Sequence, residues 1–160
     1  MIDTKIIIIA LALLLLAILV KQYRSRAARP LILAFIMAGL WSTYFRYEYV
    51  GSNLFLFNRI NIYPLVLWTA GLTTLQIASY KLPNQQRLIG ATILYFIFLM
   101  AAEVVGYYLL NIRLQSQYTS LLNLGIIHAP TATKIFYVLA GPVYLALFSW
   151  LYQSSARQKQ

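Results

Sequence analysis

Between Lys5 and Lys21 the chain runs through fifteen residues, IIIIALALLLLAILV, without a polar side chain. A helix that is apolar all round has no face to offer water, so it must lie inside a large core or in lipid. Four further apolar stretches follow, at 30–45, 60–80, 88–110 and 135–152, and a soluble chain of 160 residues has no core able to bury all five. Hydrophobic residues make up 61% of the sequence and charged residues 10%, against roughly 45–50% and 25% in soluble domains. Lipid is the expected solvent for most of this surface.

The expected fold is therefore an all-α integral membrane protein. One transmembrane domain, 1–160, would hold a bundle of five helices at about 6–20, 30–46, 60–80, 88–110 and 135–152. Two of the runs are short for a hydrocarbon core about 30 Å thick, which takes roughly 20 residues. Snorkelling Lys and Arg at their ends can make up the difference. Pro30 suits the first turn of the second helix, and Gly141-Pro142 should kink the fifth and free a carbonyl. The first run resembles a signal peptide in length, but Asp3 stands beside Lys5, no small-residue cleavage site follows, and KQYRSRAAR comes directly after it. A retained helix is expected.

The 13 Lys and Arg give a net charge of +10 yet stand singly near the ends of apolar runs. A nucleic-acid binder would gather them on one face, so no nucleic-acid partner is expected. Counted by side, Lys21, Arg24, Arg26, Arg29, Lys81, Arg87, Arg157 and Lys159 fall together, against Lys5, Arg46, Arg59, Arg113 and Lys134. That imbalance favours an outer amino terminus and an inner carboxyl terminus. Compact size and the lack of a targeting segment suggest a bacterial cytoplasmic (inner) membrane. KLPNQQR then reads as an inner turn. On the outer side, the segment around 119–130 is too short to span and too apolar for a plain loop, so it should be interfacial or re-entrant. Tyrosines crowd the outer side beyond what an aromatic belt requires.

The only two glutamates share one pattern, Glu-x-Val-Gly, at Glu48 and Glu103. Each stands near the outer end of a helix, and each returning helix contains Ala-Gly, at Ala70-Gly71 and Ala140-Gly141. Coincidence in a low-complexity apolar alphabet, or a leading helix followed by two repeated hairpins, would explain this.

Glu103 carries the strongest functional signal. It sits about seven residues below the outer end of the fourth run, where a carboxylate is costly unless paired or wetted. Its expected partners are Arg113, Arg46 or a tyrosine. Glu48, with Arg46 and Arg59 nearby, is shallower. The candidate ligand-binding set is Glu103, Glu48, Arg46, Arg59, Arg113, Tyr107, Tyr108 and His128. Lys134 should snorkel at the start of the fifth helix.

The absence of cysteine excludes disulfides, thiolate nucleophiles and Cys-ligated metal. His128 is the one histidine, and no His-x-x-x-His or Glu-x-x-His box is present, so neither a metal site nor a cofactor is expected. Three functions remain open. One is a non-catalytic accessory protein that binds a lipid-like ligand, or a partner membrane protein or second copy, at its outer side. The second is a membrane enzyme acting on a lipid or isoprenoid, with Glu103 as general acid and Glu48 or His128 assisting. The third is a transporter or proton pathway through Glu103, although only Thr92 and Tyr95 continue a polar path along that helix.

Overall fold

A computed structural model describes residues 3–51, 53–83, 86–116 and 118–157, without the side chains of Ser25, Asn123 and 153–157. Lys159, counted above for orientation, lies outside the described residues, as do Asn84 and Gln85 of the expected inner turn. Five α-helices account for most of the described chain: α1 (Thr4–Tyr23), α2 (Ser25–Phe45), α3 (Ile62–Ser79), α4 (Arg87–Glu103) and α5 (Thr131–Arg157). A two-stranded antiparallel hairpin, β1 (Phe55–Leu56) and β2 (Ile60–Asn61), leads into α3.

Four helical stretches are long and apolar enough to cross a membrane: α1, α2, α5, and α4 together with the π-helical residues that continue it to Leu109. The remaining apolar stretch became α3, an eighteen-residue helix carrying Thr69, Thr73, Gln76 and Ser79 in buried positions. Its neighbours explain this polarity. All four other helices pack on α3, and eleven of its eighteen residues are buried. Its hydroxyls bond its own turns: Thr69 Oγ1 donates to the Leu65 carbonyl and Thr74 Oγ1 to that of Ala70, each at 2.7 Å. By contrast, α1 buries only Lys5, Ala12 and Leu19 and shows its leucines and isoleucines outward. On α2, the fully buried Ala27, Ala34 and Ala38 let the backbones of α2 and α3 approach closely.

Several boundaries moved from the expectation. The basic stretch 21–29 is helical except at Arg24, whose backbone (φ 41, ψ −115) alone reverses the chain between α1 and α2. Pro30 therefore lies inside α2 rather than in its first turn, and Tyr144 of α5 donates to its carbonyl at 3.1 Å. Pro142 lies within a continuous α5, and Tyr95 of α4 reaches the nearby Tyr137 carbonyl. Gly141 is where Tyr95 packs: a Cβ there would collide with its ring.

One end of the bundle gathers all three acidic residues and is tied down by backbone bonds between distant loops. Tyr49 pairs antiparallel with Leu114. The Gln115 N–H donates to the Glu48 carbonyl and that of Val50 to the Arg113 carbonyl, each at 2.8 Å. Lys5 turns inward and donates from Nζ to the Val50 carbonyl at 2.9 Å. Asn61 caps α3 through the Tyr63 N–H and also donates to the Tyr47 carbonyl at 2.9 Å. Segment 119–130 holds one short 3-10 turn, Leu121–Asn123, and is bonded to the end of α4 and its π-helical continuation through Gly125 and His128. Lys134, expected to snorkel outward, is buried and donates from Nζ to Thr119 Oγ1 at 3.0 Å and the Ser120 carbonyl at 3.1 Å. A charge with loop acceptors in reach has no need of the headgroup region.

The two Glu-x-Val-Gly copies do not share a conformation. Around Glu48 the chain is extended and Gly51 adopts φ +84. Around Glu103 it is helical, α4 giving way to a π-helical segment over Val104–Leu109.

Candidate functional site

The π segment is the local event that builds the site. Its wider i→i+5 turn brings side chains four and five apart onto one side, so Glu103, Tyr107 and Tyr108 face one another's surroundings. The segment ends where the Leu110 N–H bonds the Val105 carbonyl at 2.9 Å and the Ile112 N–H that of Gly106 at 2.8 Å. Asn111, in the left-handed region at φ 54, closes it.

Against this segment the 119–130 loop lays His128. Glu103 Oε1 accepts the His128 backbone N–H at 3.1 Å and faces its ring Nδ1 at 3.0 Å. Both side chains are mostly buried, with 17% and 14% exposure. The His128 ring stacks on Tyr107 at 3.8 Å between centroids and 10° between planes, and Tyr108 meets it edge-on at 6.0 Å. Tyr108 donates to the Gly125 carbonyl, which holds the loop down. Gly125 has φ +72 and would bring a Cβ to 3.2 Å from that hydroxyl, so glycine is required there. The Arg113 guanidinium lies 4.5 Å from the centroid of Tyr107. A ring face has room for one such neighbour, so Arg113 and His128 flank Tyr107.

Glu103 and His128 line a cavity of about 420 Å³. Its floor is α3, through Leu67, Gly71 and Thr74, and its walls are Leu15 of α1 and Phe98 and Leu99 of α4. Helices α1 and α4 both pack on α3 but scarcely on each other, which leaves the cavity open along its side between them. The lower part is apolar. The end nearest the loops holds Glu103 and His128 with the rings of Tyr49, Tyr63, Trp68 and Tyr137. Burial pushes the Tyr49 hydroxyl well above the ordinary tyrosine range, and nearby Tyr137, Tyr63 and Glu103 push it the same way.

The remaining candidates from the sequence lie elsewhere. Arg46 caps α2 in the left-handed region, and its Nε stands 4.0 Å from Glu48 with both side chains largely exposed. They line a separate cavity of about 260 Å³ with Gln115 and Tyr118. Glu48 and Tyr49 are consecutive residues of extended chain, so they point to opposite faces: Tyr49 lines the large cavity and Glu48 the small one. Arg59 is exposed beside the hairpin turn, where Phe57 and Asn58 both take positive φ. The structure thus joins Glu103, His128, Tyr107, Tyr108 and Arg113 and leaves Glu48, Arg46 and Arg59 outside. Glu103 bonds His128, not the expected Arg or tyrosine. The sequence placed Tyr49, Tyr63 and Tyr137 among the tyrosines crowding one side without assigning them to the site, and it gave no signal for Trp68. Among the described residues no three His, Asp or Glu side chains come together as a metal site would need.

No protein-family model, no curated protein and no solved structure matches this chain.

Proposed function

We propose that this is an integral membrane protein of five helices, amino terminus outside and carboxyl terminus inside, that binds a lipid-like amphiphile in its outer half without transforming it. The carrying observation is the cavity's shape and polarity: mostly apolar along α3, open sideways between α1 and α4, with its carboxylate and imidazole gathered at the Glu103–His128 end. An acyl or isoprenoid chain entering from the bilayer would lie along Leu67 and Gly71 with its head against the pair. In a five-helix arrangement α3 crosses as the protein-lined centre, and the exposed Leu122 and Leu124 of the 119–130 segment dip toward the headgroups as an interfacial loop.

Gly71 supplies the test. Open space surrounds its Cα within the cavity floor, so Gly71→Phe should fill the groove while leaving the fold intact. Purification in mild detergent followed by lipid mass spectrometry should recover a lipid class with the natural protein and lose it with Gly71→Phe. Equal recovery from both would end the proposal.

A catalytic reading has one specific observation in its favour. An imidazole held at Nδ1 by a carboxylate is the usual arrangement of an oriented base, which would recast Glu103 from acid to orienting group for His128. Under that reading, the recovered lipid would be chemically altered by the natural protein and unaltered after His128→Gln.

A further inference from the structure

We propose that the cavity selects amphiphiles whose head carries a cationic nitrogen, an amine or quaternary ammonium, over those with anionic heads. The inference rests on the amphiphile-binding reading above and names the chemistry of its head.

The cavity lining contains one carboxylate and neither Lys nor Arg. Both bonds from His128 fall on Glu103 Oε1, and among the described residues no donor reaches Oε2. With His128 neutral and donating from Nδ1, the pair would carry a single negative charge on Glu103. Arg113 stands against Tyr107 and does not line the cavity. An anionic head would therefore meet a carboxylate in a poorly hydrated site, which is strongly unfavourable.

The rest of the polar end consists of aromatic faces. Tyr49 and Tyr63 meet at 5.1 Å and 82°, and Trp68 and Tyr137 at 5.3 Å and 57°. Rings set at such angles form corners whose negative faces attract a cation within about 6 Å. Tyr107 contributes less, because His128 and Arg113 occupy its two faces. A carboxylate beside a corner of Trp and Tyr is the chemistry that recognises ammonium groups, and the apolar groove below fits the attached chain.

The test uses the full chain in a neutral detergent, with hexadecyltrimethylammonium, hexadecanol and hexadecanoate supplied as competitors at equal concentration. Bound adducts are counted by native mass spectrometry. The ammonium compound should be favoured over the carboxylate by roughly tenfold or more, the equivalent of about 1.4 kcal/mol. Glu103→Gln preserves an acceptor for His128 and so preserves the fold. It should bring the ratio of ammonium to carboxylate adducts close to one. Trp68→Leu should lower ammonium binding severalfold through loss of its ring. Equal binding of all three heads, or preference for the carboxylate, would overturn the head-group inference and leave the amphiphile reading standing. Binding of none, or adducts insensitive to Gly71→Phe, would overturn both.

Discussion

Glu48 and Glu103 begin the same four-residue pattern and lie at the same end of the bundle, yet they live in different chemistry. Glu48 sits on extended chain, largely exposed, 4.0 Å from a still more exposed Arg46. Glu103 sits at the junction of an α-helix and a π segment, mostly buried, where it accepts the His128 backbone N–H and faces the ring Nδ1 of the same residue. Between them runs Tyr49, next to Glu48 in the chain but facing the cavity of Glu103. The lesson is that backbone conformation, not the local residue string, decides which carboxylate becomes a site. Extended chain turns successive residues to opposite faces, whereas the widened helical turn collects residues four and five apart.

The contrast can be broken most forcefully with alkali. Burial raises the hydroxyls of both Tyr47 and Tyr49 far above the unfolded value near 10. The unfolded chain then releases protons that the folded chain keeps, so stability is intact below pH 10 and falls as pH rises past it. Cooperative unfolding above pH 10, with tyrosinate absorbance rising in the same transition, is the expected outcome. Tyrosinate appearing without unfolding would show that these rings are wet.

Next in size, Glu103→Ala strands the His128 N–H and imidazole and should destabilise the fold by about 2–4 kcal/mol, read by chemical unfolding in mild detergent. Tyr108→Phe removes the bond to Gly125 and should cost about 1 kcal/mol, while loosening the loop that carries His128. Amide exchange at 125–128 would report that loosening. Smallest of all, Glu48→Gln should change stability by less than about 0.5 kcal/mol, since an exposed ion pair contributes little. A large loss there would contradict the distinction between the two glutamates.

The helices were legible because each rests on the sum of some twenty side chains, as in Ile6–Val20, and single errors cancel. Their ends were less so. Pro30 looked like a helix start because nothing in the residues near Arg24 announces a one-residue reversal. The site was legible only in half. An isolated glutamate deep in the fourth run stood out from its setting. Its partner did not, because His128 reaches it across 25 residues through a loop with Leu122 and Ile127 at positive φ, a conformation neither residue favours. The π segment has no compositional mark in VVGYYL, and Lys134 turned inward because folded loop carbonyls, absent from any local pattern, were waiting for it.

The central position of α3 has a consequence for biogenesis. Helices α1 and α2 are made first and joined through a single residue, yet each packs chiefly on a helix that follows them. In a bilayer, the hydroxyls and amide of Thr69, Thr73 and Gln76 would be poorly accepted by lipid alone. The first two helices would have to remain side by side, unlocked, until α3 arrives between them. Insertion would then proceed by three helices committing together rather than one at a time. A chain truncated before Ile62 would leave an apolar hairpin with no keystone, prone to capture by quality-control proteases.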